Sequence, residues 1–197
     1  MSKIALSSNT SGTGVFTIES LGTNTNRTLT LPDASGTLLI DTQNINLSSL
    51  VTLSGSNVDF TGIPATARRV TVMFSGLSSN GTVVPLIQLG DAGGIETTGY
   101  SGAMAVVAPT PPGVNFSTGV SLSTTWSTTA TLGGNIVFNL MDLATNLWNF
   151  SGTAGRSDAS YTHSYGGTKS LSGTLTQIRF TAGANSFDAG TAAISWE

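Results

Sequence analysis

No cysteine occurs in the 197 residues, which excludes disulfides, thiol catalysis and Cys-ligated zinc together. Histidine is nearly as scarce. His163 is the only one, so any Ser-His-Asp triad must use it, and no G-x-S-x-G turn is present to raise a nucleophile. Charge is thin as well: Asp, Glu, Lys and Arg make up 9% of the chain, against about 25% in an average soluble domain. Seven Lys and Arg leave no basic stripe able to displace counterions, so nucleic-acid partners are not expected. No stretch approaches the ~18 apolar residues of a membrane span. The N-terminus "MSKIALSSNTSG" lacks the apolar core of a secretory signal, so manufacture in a cytosol without membrane insertion is expected.

What the chain does hold is 39% hydrophobic residues and 24 glycines, with the apolar residues in short patterned runs unlike those of a disordered chain. Ser, Thr and Asn must supply the solubility that charge does not. From about Val51 the runs read as strands separated by turns. In "RVTVMFSG", Val70, Val72 and Phe74 point one way and Thr71, Met73 and Ser75 the other, with a turn predicted at the following Ser-Ser-Asn-Gly. "TVVPLIQLG" is apolar on both faces, and Pro85 cannot donate to a ladder, so an edge strand or a bulge is predicted. Ile136, Phe138 and Leu140 share a face, as do Tyr161, His163 and Tyr165, with Thr162 and Ser164 opposite.

No window keeps a helical period, and the nearest approach, "DLATNLWNF", is short. The fold class expected is therefore all-β, an antiparallel β-sandwich of jelly-roll-like form, over residues 49–197. The Pro-Thr-Pro-Pro-Gly run at 109–113 is expected to be a loop crossing between sheets.

Residues 1–48 differ in kind. Their inward set would be Phe16, Ile18, Leu29, Leu31, Leu38 and Ile40. Even full burial at about 25 cal/mol per Å² does not offset the ordering entropy of so many residues. The segment is expected to serve attachment or oligomerisation, packing on the C-terminal domain, on copies of itself around a symmetry axis or on a larger assembly into which it plugs.

The search for chemistry assigns no catalytic, metal or cofactor residues. His163 is expected at a surface or rim position between its tyrosines. "GDAGGIETTG" at 90–99 and "GGTKS" at 166–170 have glycines but no helix to complete a phosphate cradle, and Asp91 with Glu96 falls short of a calcium loop. Arg68-Arg69 reads as a solvated strand end. Trp126 and Trp148 read as core, with ligand contact the alternative. Tyr161 and Tyr165 are the candidate glycan contacts, because a polar strand would offer their flat faces to a sugar.

Two stretches carry a resemblance. The N-terminal "TLTLPDASGTLLI" resembles the T-L-T-L-P-D-x-x-G-T-L segment near the start of tail-fibre and other virion proteins of tailed bacteriophages. Residues 60–102, with "LTQIRFTAGANSFDAGTAAISWE" at the C-terminus, are similar to the C-terminal β domains of many such proteins. The resemblance implies a virion structural protein. It would be a homotrimer, joined to other virion proteins through the N-terminal segment, with a sandwich head contacting a host surface glycan or protein. Capsid decoration, cementing or a head fibre without a ligand is the alternative it leaves open. No functional residues carry over from it.

Overall fold

The alternation of apolar and polar residues produces fourteen strands and no helix among the residues described by the computed structural model, which are 11, 45–107 and 113–197. In chain order they are β1 (Asn46–Leu47), β2 (Val51–Thr52), β3 (Asn57–Thr61), β4 (Arg69–Ser79), β5 (Leu86–Asp91), β6 (Gly94–Ile95) and β7 (Tyr100–Val107). There follow β8 (Gly113–Phe116), β9 (Val120–Ser121), β10 (Leu132–Asp142), β11 (Leu147–Arg156), β12 (Tyr161–Ser170), β13 (Gln177–Thr181) and β14 (Phe187–Trp196). They form two antiparallel sheets, the sandwich expected. The large sheet runs β1-β14-β4-β10-β11-β12-β7-β8, with β2 also on β14; the small one runs β3-β13-β5-β6, with β9 also on β5.

The chain divides after Leu38, and every described strand lies in the second unit, Leu39–Glu197. The pair Asn46–Leu47 stands ahead of the expected 48/49 boundary yet hydrogen-bonds to Trp196 and Ser195 of β14. Phe16, Ile18, Leu29, Leu31, Leu38 and Ile40 lie outside the described residues.

The core forms where the inward rows of the two sheets meet. Val70, Val72 and Phe74 of β4 are buried as their spacing predicts, and Phe74 meets Phe180 of β13 edge-on, ring centroids 6.0 Å apart. Ile136 and Phe138 of β10 and Trp148 and Phe150 of β11 continue the layer, and both Trp148 and Trp126 are core. The "DLATNLWNF" stretch becomes the β10–β11 hairpin. Asp142 ends β10 by accepting hydrogen bonds from the Ala144 amide (2.9 Å) and the Thr145 hydroxyl (2.7 Å). Asn146 then takes φ 48°, a left-handed conformation that asparagine tolerates better than most residues.

Three local expectations are corrected. Pro85 does not mark an edge: β5 begins just after it and is central, flanked by β13 on one side and by β6 and β9 on the other. The lost donor costs nothing there, because Pro85 uses its carbonyl, accepting from the Leu122 amide at 3.0 Å. Ser78 and Ser79 do not turn. They extend β4, buried, because Phe187 and Ala189 of β14 continue the ladder past a bulge. Residues 108–112 of the proline run lie outside the described residues, but its flanks β7 and β8 are antiparallel neighbours in one sheet, so the run does not cross between sheets.

One irregularity shapes the surface. A Cβ on Gly152 would stand 2.3 Å from the Asn135 carbonyl oxygen, and one on Gly134 would stand 2.3 Å from that of Thr153. The hairpin backbones therefore close up around the Asn135–Thr153 pair in a way that only glycine at both positions permits.

Candidate functional site

The tyrosine strand is grouped as expected but faces the other way. His163 is fully buried and Tyr165 is 4% exposed, so their row is the inward one. A run in which both faces carry polar atoms does not announce which side is wet. The Tyr165 hydroxyl donates to the Leu122 carbonyl (2.8 Å) and its ring stacks on His163 at 6.2 Å, so it has no free face for a sugar. Burial pushes its phenol pKa well above the ordinary 10. Tyr161 is half-buried against the same core. The pair is not a glycan platform, and His163 is not at a rim.

His163 does meet a serine. Its Nε2 lies 3.1 Å from the Ser123 hydroxyl, which Arg156 Nη1 approaches at 3.4 Å. The Ser123 hydroxyl thus sits between the arginine, which only donates, and the imidazole. Arg156 is committed elsewhere too. Its Nε and Nη2 bind Asp158 at 2.6 and 2.8 Å, Nη1 binds the Thr125 carbonyl at 2.6 Å, and its plane lies over Trp126. The Arg156 hydrogen bond holds the Asp158 carboxyl below its ordinary value. Burial lowers the His163 pKa. The Ala154 carbonyl opposes this without closing a hydrogen bond on Nδ1, and the Arg156 charge lowers it further. A serine and a histidine are thus in contact, but both are sealed from solvent and the acid that would orient a triad is on the arginine.

The two glycine-rich motifs come together at the opposite end of β12. Lys169, 3% exposed, donates to Glu96 and, at 2.5 Å, to the Ser170 carbonyl, with its ammonium 5.5 Å from the centre of the Tyr100 ring. Ser172 joins the acids: its amide donates to Glu96 at 2.6 Å and its hydroxyl to Asp91 at 2.7 Å. Burial alone would raise the Glu96 carboxyl, but Lys169 and the Ser172 amide outweigh it and hold it below the ordinary value. The Ser172 hydroxyl and the Gly93 amide do the same for Asp91. The lysine ammonium pairs with Glu96, while Asp91 is held by the Ser172 hydroxyl and the Gly93 amide. Among the described residues no group of three metal-ligating side chains occurs.

Arg68 and Arg69 close a strand end, as read. Arg69 pairs with Glu197 at 2.9 Å and Arg68 donates to the Ala65 carbonyl at 3.1 Å. With every buried ion spent internally, the remaining feature is the outer face of the large sheet. One row across it runs Thr71, Val137, Ser151, Gly166 and Ala103; the next runs Met73, Asn135, Thr153, Ser164 and Ala105. Arg69, Glu197 and Asp142 stand at one end of this face and Asp188 at the other, and no outward residue between them is charged. The small sheet has the commoner cover, with Arg179 and Asp59 paired through two bonds of 2.7 Å on its outside.

The uncharged face is shaped. Above the close approach at Gly152 lies a shallow depression of about 380 Å³ lined by Asn135, Val137, Ser151, Thr153 and Ser164. A second, of about 120 Å³, lies at the charged end, between Ile45, Arg69, Glu197 and the Thr71–Ser195 pair. No family model, curated protein or solved structure matches the chain. The face was legible as the polar half of each alternating strand, but not as one continuous surface, since strand order is absent from the sequence. Buried Arg156 and Lys169 were missed. A period-two count does find them, in phase with Phe150 and Ala154 on β11 and with His163 and Tyr165 on β12.

Proposed function

We propose that the chain is a structural protein of a tailed-bacteriophage virion, of the tail-fibre or receptor-binding type, whose sandwich works through its surface and performs no reaction. The observation that carries this reading is the broad uncharged face of hydroxyl, amide and small apolar side chains, set beside buried ionic groups that are all satisfied internally. Such a face offers many weak directional contacts and no polarised centre, which suits recognition and assembly. The T-L-T-L-P-D-x-x-G-T-L segment supports the virion context and an attachment role for residues 1–48.

Location within the particle tests the proposal. Gold-labelled antibody against the purified protein is expected to decorate the tail of intact particles, and the free protein is expected to compete with particles for adsorption to host cells. Label over the capsid shell with no competition moves the protein to a decoration role. Absence from purified particles ends the virion reading.

A further inference from the structure

We infer that the outer face of the large sheet is an interface between copies of this chain, packed sheet against sheet around a symmetry axis. The inference rests on the reading of the chain as an assembly protein and names the partner of the face. Three observations converge on a second copy.

The first is charge. Where a face meets its own copy across a twofold axis, any charge close to that axis meets its own kind, so a face without charge is suited to self-association. The chain carries a net charge of −3, yet this face carries none between its ends. The second is relief. Outward residues such as Ser151, Gly166, Ala103 and Ala105 are small, so two sheets can approach to the ~10 Å at which sheets pack. Met73 and Val137, both half-buried already, supply the apolar contact. The third is area. The six adjoining strands from β14 to β7, at ~4.8 Å spacing and with 8 to 11 residues each, span on the order of 750 Å². That is close to the ~800 Å² per partner of a stable interface.

Methionine footprinting on the full chain tests this, because Met73 lies on the face, Met141 is 68% exposed beyond its end and Met104 is 2% exposed in the core. Limited peroxide oxidation, read by mass spectrometry of peptides, is expected to modify Met73 several-fold more slowly in concentrated than in dilute protein, with Met141 and Met104 unchanged. The paired variant Thr153→Lys and Ser164→Lys is expected to raise Met73 reactivity to the dilute level even at high concentration. Thr61→Lys with Thr181→Lys, on the small sheet, is expected to leave it protected. Sedimentation should show the wild type as a multimer.

Met73 reactivity that responds neither to dilution nor to the face variant overturns the interface. So does protection that appears only when host-surface oligosaccharides are added, which would make the face a glycan site. If the face variant fails to fold, the dilution series on the wild type decides alone. Particle labelling is independent of all these readouts, so the virion reading and the interface stand or fall separately.

Discussion

Removing the ammonium of Lys169 strands the Glu96 carboxylate beside Tyr100 with only the Ser172 amide to hold it. Lys169→Met is expected to lose about 2–4 kcal/mol, less than a fully buried pair because Glu96 keeps some solvent. Lys169→Met combined with Glu96→Gln should recover part of that loss, and urea unfolding of the three proteins measures it. His163 sets the acid response. Its folded-state pKa lies below the ordinary 6.5, so the unfolded chain binds the extra proton first and stability falls as the pH drops below about 6.5. The lowered carboxyls of Asp91, Glu96 and Asp158 act in the same direction in a separate window, below their ordinary values of 3.8 to 4.5. Melting temperatures from pH 7.5 to 5 should therefore decline in the wild type and flatten in His163→Gln. A flat wild-type profile would mean that the imidazole titrates as it does in water.

The hairpin of β10 and β11 gives a contrast on one strand. Gly152→Val places its new atoms against the Asn135 carbonyl and the Ile136 backbone, and is expected to destabilise by about 2–3 kcal/mol or more. A Cβ at residue 155 meets nothing within 4 Å, and Gly155→Val is expected to change stability by no more than about 0.5 kcal/mol. Thermal melts of the two variants check both values. These strands also show what alternation reveals. Ile136, Phe138, Val70 and Phe74 declared their faces because one side of each strand is apolar. At β5 both sides are apolar, so Pro85 was given a meaning that burial between two neighbours removes. At β12 both sides are polar, so Tyr161, His163 and Tyr165 were grouped correctly and turned outward wrongly. The ion clusters were overlooked for another reason, although period two places Arg156 and Lys169 on the inward rows. Buried Lys and Arg run against residue preference, and their partners, Asp158 two residues along from Arg156 and Glu96 far from Lys169 in sequence, do not announce themselves as such.

At the scale of the molecule, every buried apolar residue of the cluster falls between Leu53 and Ile194 among the described residues. A protein comprising residues 45–197 is accordingly expected to melt cooperatively within a few degrees of the full chain. Calorimetry tests this, and a broad transition without a peak would refute it. The strand that holds this body together is β14, the last of the described strands in chain order. β14 lies between β4 and β1 and also carries β2, so three strands from the first half of the molecule wait for the final ten residues of the sheet. During translation the meander of β10, β11 and β12 can form as it emerges, while one edge of β4 stays open until β14 has been made. A chain interrupted before β14 thus leaves a long row of unpaired backbone amides and carbonyls along β4 and is fated for aggregation or proteolysis instead of incorporation.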